Sequence, residues 1–240
     1  MANLIIDIGN TALKAAWAED GTLGKIFRYQ GERIINFILS LTEKIKPEVL
    51  IISSKRELTD NHKDRLKKEC KNFILLDNNI DLYNQYKLPL FLNSDRCATI
   101  VAIKQMFSDK DAIIFDFGTT LTVDKISKEG EYLGGNISLG CRTRFLAINR
   151  YSNNLPLLNT PDEILTEGNS LNKSIESGVI YGIIFEIEGY LAKNNKNIVI
   201  FTGGDAIYFA KRMKNSIFVV CNLVLIGLAI IADNYEKNNI

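Results

Sequence analysis

Two short turns of one design, 109 residues apart, constrain this chain more than any other feature. Asp7-Ile8-Gly9-Asn10-Thr11 closes the apolar run Leu4 to Ile8, and Asp116-Phe117-Gly118-Thr119-Thr120 closes the run Ile113 to Phe117. Asp7 and Asp116, Gly9 and Gly118, Thr11 and Thr120, and Gly21 and Gly130 share the 109-residue offset. The order strand, turn, strand, turn, strand repeats with them. Such a long period implies an internal duplication rather than a solenoid. The expectation is two related domains, 1–109 and 110–240.

Hydrophobic periodicity fills in the elements. In the first half, strands are expected at Leu4 to Ile8, Ala12 to Ala18 and Leu23 to Tyr29, with Asp20-Gly21 as a hairpin turn. A helix at Ile34 to Ile45, a strand at Val49 to Ser53, a polar helix at Leu58 to Cys70 and a strand at Phe73 to Leu76 follow. A helix at Cys97 to Phe107 ends this half. The second half repeats the triplet at Ile113 to Phe117, Leu121 to Ile126 and Tyr132 to Ser138. Helices at Cys141 to Arg150 and Ser174 to Leu191 and a strand at Ile198 to Phe201 come next. Alternation of strands and helices places the fold in the α/β class.

Composition narrows the function. There are 29 basic and 28 acidic residues, for a net charge of +1. No domain-wide basic field exists to attract nucleic acid. Cys70, Cys97, Cys141 and Cys221 fit no zinc or CxxC spacing and read as reduced, mostly buried thiols of a cytoplasmic protein. The single histidine, His62, sits among polar neighbours and reads as a surface helix position, which excludes His-based triads and multi-His metal sites. The N-terminus lacks the pattern of a signal peptide. The apolar stretch Ile217 to Ala232 is too short to span a bilayer and reads as a buried strand followed by a buried helix.

Three strand ends carry the chemistry: the two Asp-x-Gly-x-Thr turns and Thr202-Gly203-Gly204-Asp205. Glycine allows the backbone to approach a bulky anion, and neighbouring N–H groups and Thr hydroxyls donate to phosphate oxygens. An acid beside them cannot bind phosphate but can hold a cation or orient a water. Lys14 can add charge or point outward from its strand. No GxxxxGK[ST] is present, which excludes a P-loop enzyme, and no GxGxxG follows a strand. Phosphoryl transfer also needs a group to orient and deprotonate the acceptor hydroxyl. Ser94-Asp95-Arg96, before the helix at Cys97, offers a base and a cation. Residue types alone favour an N-terminal helix cap, a role that Ser and Asp fill readily.

The ordered set of motifs resembles the type III pantothenate kinases, within the superfamily of acetate kinase, sugar kinases, Hsp70 and actin. The matching pieces are residues 7 to 11, Tyr86 with Pro89 leading to residues 93 to 96, residues 116 to 120, and Gly134 to Ile137. Leu155-Pro156, Ser177-Gly178, Thr202 to Ala206 and Leu225-x-Gly227-Leu228 continue the series. The resemblance implies a duplicated ribonuclease H-like, actin-like ATPase fold with two domains and a cleft between them. It implies a phosphotransferase acting on an alcohol group, converting pantothenate to 4'-phosphopantothenate with ATP and Mg2+, the first step of coenzyme A biosynthesis.

Roles carry over by residue. Asp95 would be the general base. Tyr86, Asn93, Ser94, Arg96 and the position of Leu171 would contact pantothenate. Asp7, Ile8, Gly9, Asn10, Thr11, Ala12, Leu13 and Lys14, with Thr119, would hold ATP. Asp116 would bind a monovalent cation, K+ or NH4+. Thr202 to Asp205 would lie near adenosine. The resemblance further implies a homodimer with pantothenate at the subunit interface, and neither a nucleic-acid nor a membrane partner. The chain departs from the pattern at Asn93 (usually Gly), Leu139 (usually Pro), Asn149 (often His) and Leu171 (a pantothenate-contacting Thr). Losing the Thr hydroxyl removes a hydrogen bond worth about 0.5–1.5 kcal/mol net. Two other readings stay open: a catalytically weakened nucleotide-binding sensor, since relatives have been described as transcription accessory factors, and a kinase of another small hydroxylated acid.

Overall fold

The computed structural model describes residues 2–77 and 79–238. The described chain divides into two compact units. One runs to Ser108 and resumes at Asn222; the other spans Asp109–Cys221.

The first unit is built on a five-stranded sheet of order β3-β2-β1-β4-β5. Its strands are β1 (Asn3–Ile8), β2 (Leu13–Glu19), β3 (Thr22–Tyr29), β4 (Val49–Ser54) and β5 (Asn72–Leu75). β1, β2 and β3 form an antiparallel meander, while β4 and β5 run parallel to β1. The Asp20-Gly21 turn has φ of 48° and 71°, the positive values a two-residue type I′ hairpin requires.

Alternation along β1 sends Leu4, Ile6 and Ile8 to one face, where Ile35 and Ile38 of α1 (Ile34–Thr42) and Leu66 of α2 (Asp60–Lys67) complete the core. Asn3, Ile5 and Asp7 therefore share the other face. That face is covered by α4 (Ser94–Met106) and α8 (Leu223–Asn238), which pack closely on each other. A short helix, α3 (Ile80–Gln85), joins β5 to α4. With both faces covered, β1 and β4 read as nearly unbroken apolar runs.

The second unit repeats the plan, with sheet order β10-β9-β6-β7-β8. The strands are β6 (Ala112–Phe117), β7 (Thr120–Ile126), β8 (Tyr132–Leu139), β9 (Ile198–Gly203) and β10 (Phe218–Val219). Read from the meander side, this is the order of the first sheet, again with three antiparallel strands followed by two parallel ones. Phe115, Phe117 and Phe201 face Phe145 of α5 (Cys141–Tyr151) and Ile180 and Ile183 of α6 (Leu171–Lys193). Phe209 of α7 (Ala206–Ala210) stacks on Phe117 at 5.1 Å. The duplicated ribonuclease H-like fold of the actin-like ATPases is thus present in both halves.

Three sequence expectations are corrected. The C-terminal helix, assigned with 110–240, packs on the first unit as α8, because its apolar face meets α4, β1 and β4. The buried strand expected near Ile217 to Val220 is a two-residue strand, β10, exposed at the sheet edge. The 109-residue offset also does not hold through the turns. Ile8 pairs with Leu13, leaving four residues between them, whereas Phe117 pairs with Leu121, leaving three. Accordingly Gly9 N–H donates to Ala12 O (3.1 Å), but Gly118 N–H donates to Thr120 O (3.0 Å).

His62 lies on α2 and is half-buried. The four cysteines are free thiols: Cys97 and Cys141 are buried, Cys70 half-buried and Cys221 exposed. Among the described residues, no helix is long and apolar enough to cross a membrane.

Candidate active site

In the first unit, the C-terminal ends of the adjacent parallel strands β1 and β4 create the polar centre, the usual location of ligand sites in such sheets. Asp7 sits opposite Lys14 on one side and Ser53 on the other. Residues 9–12 form the first candidate phosphate turn. Lys14 does not point outward as one sequence reading allowed. It is half-buried, and its Nζ donates to Asn222 Oδ1 at 3.2 Å.

Asp95 does not precede its helix. Asn93 occupies the N-cap position of α4 without a side-chain cap bond, and Ser94, Asp95 and Arg96 form the first helical turn, all buried. The cap is therefore Asn93, and Ser94 and Asp95 turn their side chains to the ends of β4 and β5 and the segments that follow them. Ser94 Oγ lies 2.9 Å from Ser53 Oγ and donates to Asp77 Oδ1 at 2.7 Å. The other Asp77 oxygen accepts from Ser54 N–H at 2.9 Å. Burial pushes the Asp77 carboxyl above the usual carboxylate range, opposed by the Ser94 and Ser54 bonds, with the Asp95 charge adding to the rise.

Asp95 is 7% exposed. Its Oδ2 forms an ion pair with Lys55 Nζ at 2.6 Å. Its Oδ1 is buried and has no hydrogen-bond partner among the described residues. A buried acceptor left unsatisfied is costly, so in a native site it points to a missing donor such as a substrate hydroxyl. Thr99 Oγ1, one turn further along α4, is likewise buried without a partner among those residues.

Tyr86 ends α3 and belongs to the same unit. Its hydroxyl accepts from Asn234 Nδ2 of α8 at 3.0 Å, and its carbonyl accepts from Lys104 Nζ at 2.9 Å. Burial raises the Tyr86 phenol above its ordinary value, opposed by the Asn234 bond. The hydroxyl keeps its proton and can donate to a ligand carboxylate.

The sequence reading missed Lys55, Arg56 and Asp77. Arg56 donates to Asn10 O at 2.8 Å, and Lys55 N–H to Ile8 O at 2.9 Å, so the segment after β4 braces the phosphate turn. The available signal was Ser53-Ser54-Lys55-Arg56, a polar and basic run ending a buried apolar strand.

The second unit holds the remaining candidates. Asp116 is flanked by Thr122 on β7 and Thr202 on β9. Gly203 has φ of 93°, and a Cβ there would lie 2.5 Å from Asp116 Oδ1. The backbone of the Gly-Gly turn therefore abuts the Asp116 carboxylate, and Gly204 N–H ties it to Phe117 O at 2.8 Å. A carboxylate with threonines at both paired strand positions offers hard oxygen atoms, the donor type that oxygen-seeking cations take. Thr119 is exposed in its turn, and its carbonyl accepts from Gly140 N–H (3.0 Å) and Thr143 Oγ1 (2.6 Å). Asp205 is raised above the usual carboxylate range by burial. Leu171 is the first residue of α6 and is 56% exposed.

A family model for type III pantothenate kinases matches residues 3–193. A type III pantothenate kinase from Phocaeicola vulgatus is 35% identical over 241 residues, spanning 98% of this chain and 99% of that one. Among solved structures, a Campylobacter jejuni protein proposed as a conserved Baf family transcriptional activator aligns with a TM-score of 0.61 at 24% identity, covering 99% of this chain and 100% of that one. The activator of 2-hydroxyisocaproyl-CoA dehydratase from Clostridium difficile, with bound ADPNP, aligns with a TM-score of 0.59 at 14% identity, covering 100% and 97%. At these identities the two structures speak to the fold alone.

Proposed function

The chain belongs to the type III pantothenate kinase family, and we propose that it transfers the γ-phosphoryl group of ATP to the primary hydroxyl of pantothenate with Asp95 as general base. The observation that carries the assignment of Asp95 is its divided carboxylate. One oxygen is held by Lys55, while the other is buried and lacks a partner among the described residues. An acceptor hydroxyl donating to Oδ1 would satisfy that oxygen and be oriented for attack. As the oxygen–phosphorus bond forms, the hydroxyl proton passes to Oδ1 and ADP departs. Positioning and electrostatics supply most of the acceleration in such transfers.

The remaining roles rest on the family resemblance. Gly9, Asn10, Thr11 and Ala12, with Asp7, Ile8, Leu13 and Lys14 on the flanking strands, form the ATP-phosphate site of the first unit; Thr119, in the turn between β6 and β7, is the ATP-contacting residue of the second unit. Tyr86, Asn93, Ser94 and Arg96 hold pantothenate. ATP enters with Mg2+. Asp116, with Thr122 and Thr202 at its paired strand positions and the close backbone of Gly203, fits K+ or NH4+. Thr202 to Asp205 lie near adenosine.

A cytoplasmic homodimer is part of the proposal. The dimer and the compartment rest on the family resemblance; on the second unit, Leu133, Ile137 and Leu139 of β8, Leu146 of α5 and Phe185 of α6 are exposed apolar residues that a second copy could cover. Leu171 favours one further reading, a weakened kinase acting as a nucleotide-binding sensor, since a hydroxyl contact to pantothenate is lost there.

An ADP-release assay with ATP, Mg2+ and pantothenate tests the function, repeated without K+ and NH4+. Pantothenate-dependent turnover that collapses without the monovalent cation is the expected result. Nucleotide binding without turnover would move the assignment to the sensor reading.

A further inference from the structure

We propose that Lys55 is a positioning residue for the phosphoryl transfer, fixing which oxygen of Asp95 receives the acceptor proton and tying that oxygen to the phosphate turn. The inference rests on the reading of Asp95 as general base.

A carboxylate is symmetric, and rotation about its terminal torsion exchanges its two oxygens. In the first turn of α4 that symmetry is broken. Lys55 Nζ holds Oδ2 at 2.6 Å, leaving Oδ1 as the oxygen without a partner among the described residues. Both members of the pair are largely shielded, with side-chain exposures of 28% and 10%. Solvent therefore screens this contact far less than a surface ion pair. An ammonium is a compact charge with three donors, so it can grip one oxygen and still face other acceptors.

Lys55 is itself held in place. Its N–H donates to Ile8 O at 2.9 Å, and Ile8 is the last residue before the phosphate turn. The next residue, Arg56, donates to Asn10 O within that turn at 2.8 Å. The segment 55–56 thus ties the turn that would hold the phosphates to the carboxylate that would receive the proton. In-line transfer requires those two positions to be fixed together, and a 1 Å error costs roughly 100-fold.

The test compares Lys55→Met and Lys55→Arg with wild type and Asp95→Asn in steady-state kinetics, with thermal melts on each. Lys55→Met is expected to lower kcat roughly 10- to 100-fold while the KM values for pantothenate and ATP stay within about threefold, because a positioning fault acts on the transfer step. Lys55→Arg, which restores the charge with a longer reach, is expected to recover part of kcat. The double variant Lys55→Met/Asp95→Asn should be no slower than Asp95→Asn alone, since Lys55 acts through that carboxylate. Three outcomes would each overturn the proposal: an unchanged kcat in Lys55→Met, a loss confined to KM, or a double variant slower by the product of the single effects. A wild-type protein without turnover, or a fully active Asp95→Asn, would instead overturn the underlying reading of the site.

Discussion

Replacing Gly227 by alanine probes the contact that holds α4, and with it Asp95, in place. Gly227 lies where α8 crosses α4. A Cβ there would overlap the carbonyl carbon and oxygen of Ala98 and lie 3.0 Å from its Cα, whereas ordinary contact begins at 3.4 Å. These are backbone atoms of a fully buried residue, so no side chain can rotate aside. The two helices must part by about 1 Å or more, given the overlap. Overpacking of this kind costs about 3 kcal/mol, and the better helix propensity of alanine returns about 1 kcal/mol. The net loss of about 2 kcal/mol corresponds to a fall in Tm of about 4–8 °C for a chain of this size. Ala98 lies one turn along α4 from Asp95, so the same shift misplaces the base and should lower kcat roughly 100-fold. Calorimetry and ADP-release kinetics at a temperature where the variant is folded separate the two effects. Gly189→Ala serves as the control: its Cβ meets nothing within 4 Å in α6, so it should stabilise by about 0.5–1 kcal/mol. A Gly227→Ala protein with wild-type Tm and kcat would refute the reasoning.

Ser94→Ala removes the hydroxyl that joins Ser53 to Asp77, leaving two polar groups short of a partner; a stability loss of about 1–3 kcal/mol is expected in urea unfolding. Asp233→Asn tests a pH dependence. Burial raises the Asp233 carboxyl, opposed by the Asn3 amide and reinforced by Glu236. The folded state therefore binds this proton more tightly than the unfolded chain. Its stabilisation is complete below the unfolded value near 3.8 and is lost as pH rises through the raised folded value. The asparagine variant should melt higher than wild type at pH 8, with the gap closing as pH falls towards 3.8. Leu171→Thr should lower the KM for pantothenate, by up to about tenfold for one hydrogen bond, with kcat little changed. Gly203→Ala, strained at its φ of 93° and pressed on Asp116, should weaken activation by K+ when rate is measured against cation concentration.

The sequence made most strands legible because β1, β4, β6 and β9 are apolar runs that end at a glycine or a polar turn. Asp20-Gly21 announced its hairpin in the same way. The short helices α3 and α7 escaped because six and five residues are too few to show a helical period. The placement of α8 was hidden because apolarity says that a helix is buried but not against which sheet. At the site, residues within one motif were visible, whereas residues brought in by strand adjacency were not. Lys55 and Asp77 meet the first turn of α4 only because β4 lies beside β1 and β5 beside β4, pairings such as Leu4 with Leu50 and Val49 with Asn72 that no local pattern encodes. The divided environment of the Asp95 oxygens likewise emerges only in three dimensions.

Product analysis tests the central claim most directly. Wild-type protein and Asp95→Asn would each be incubated with ATP, Mg2+, K+ and pantothenate, and the products followed by 31P NMR and mass spectrometry. The account predicts a phosphate monoester on the primary hydroxyl of pantothenate with wild type, formed one-for-one with ADP, and its near-absence with Asp95→Asn. ADP formed without a phosphorylated pantothenate, or undiminished product from Asp95→Asn, would contradict it.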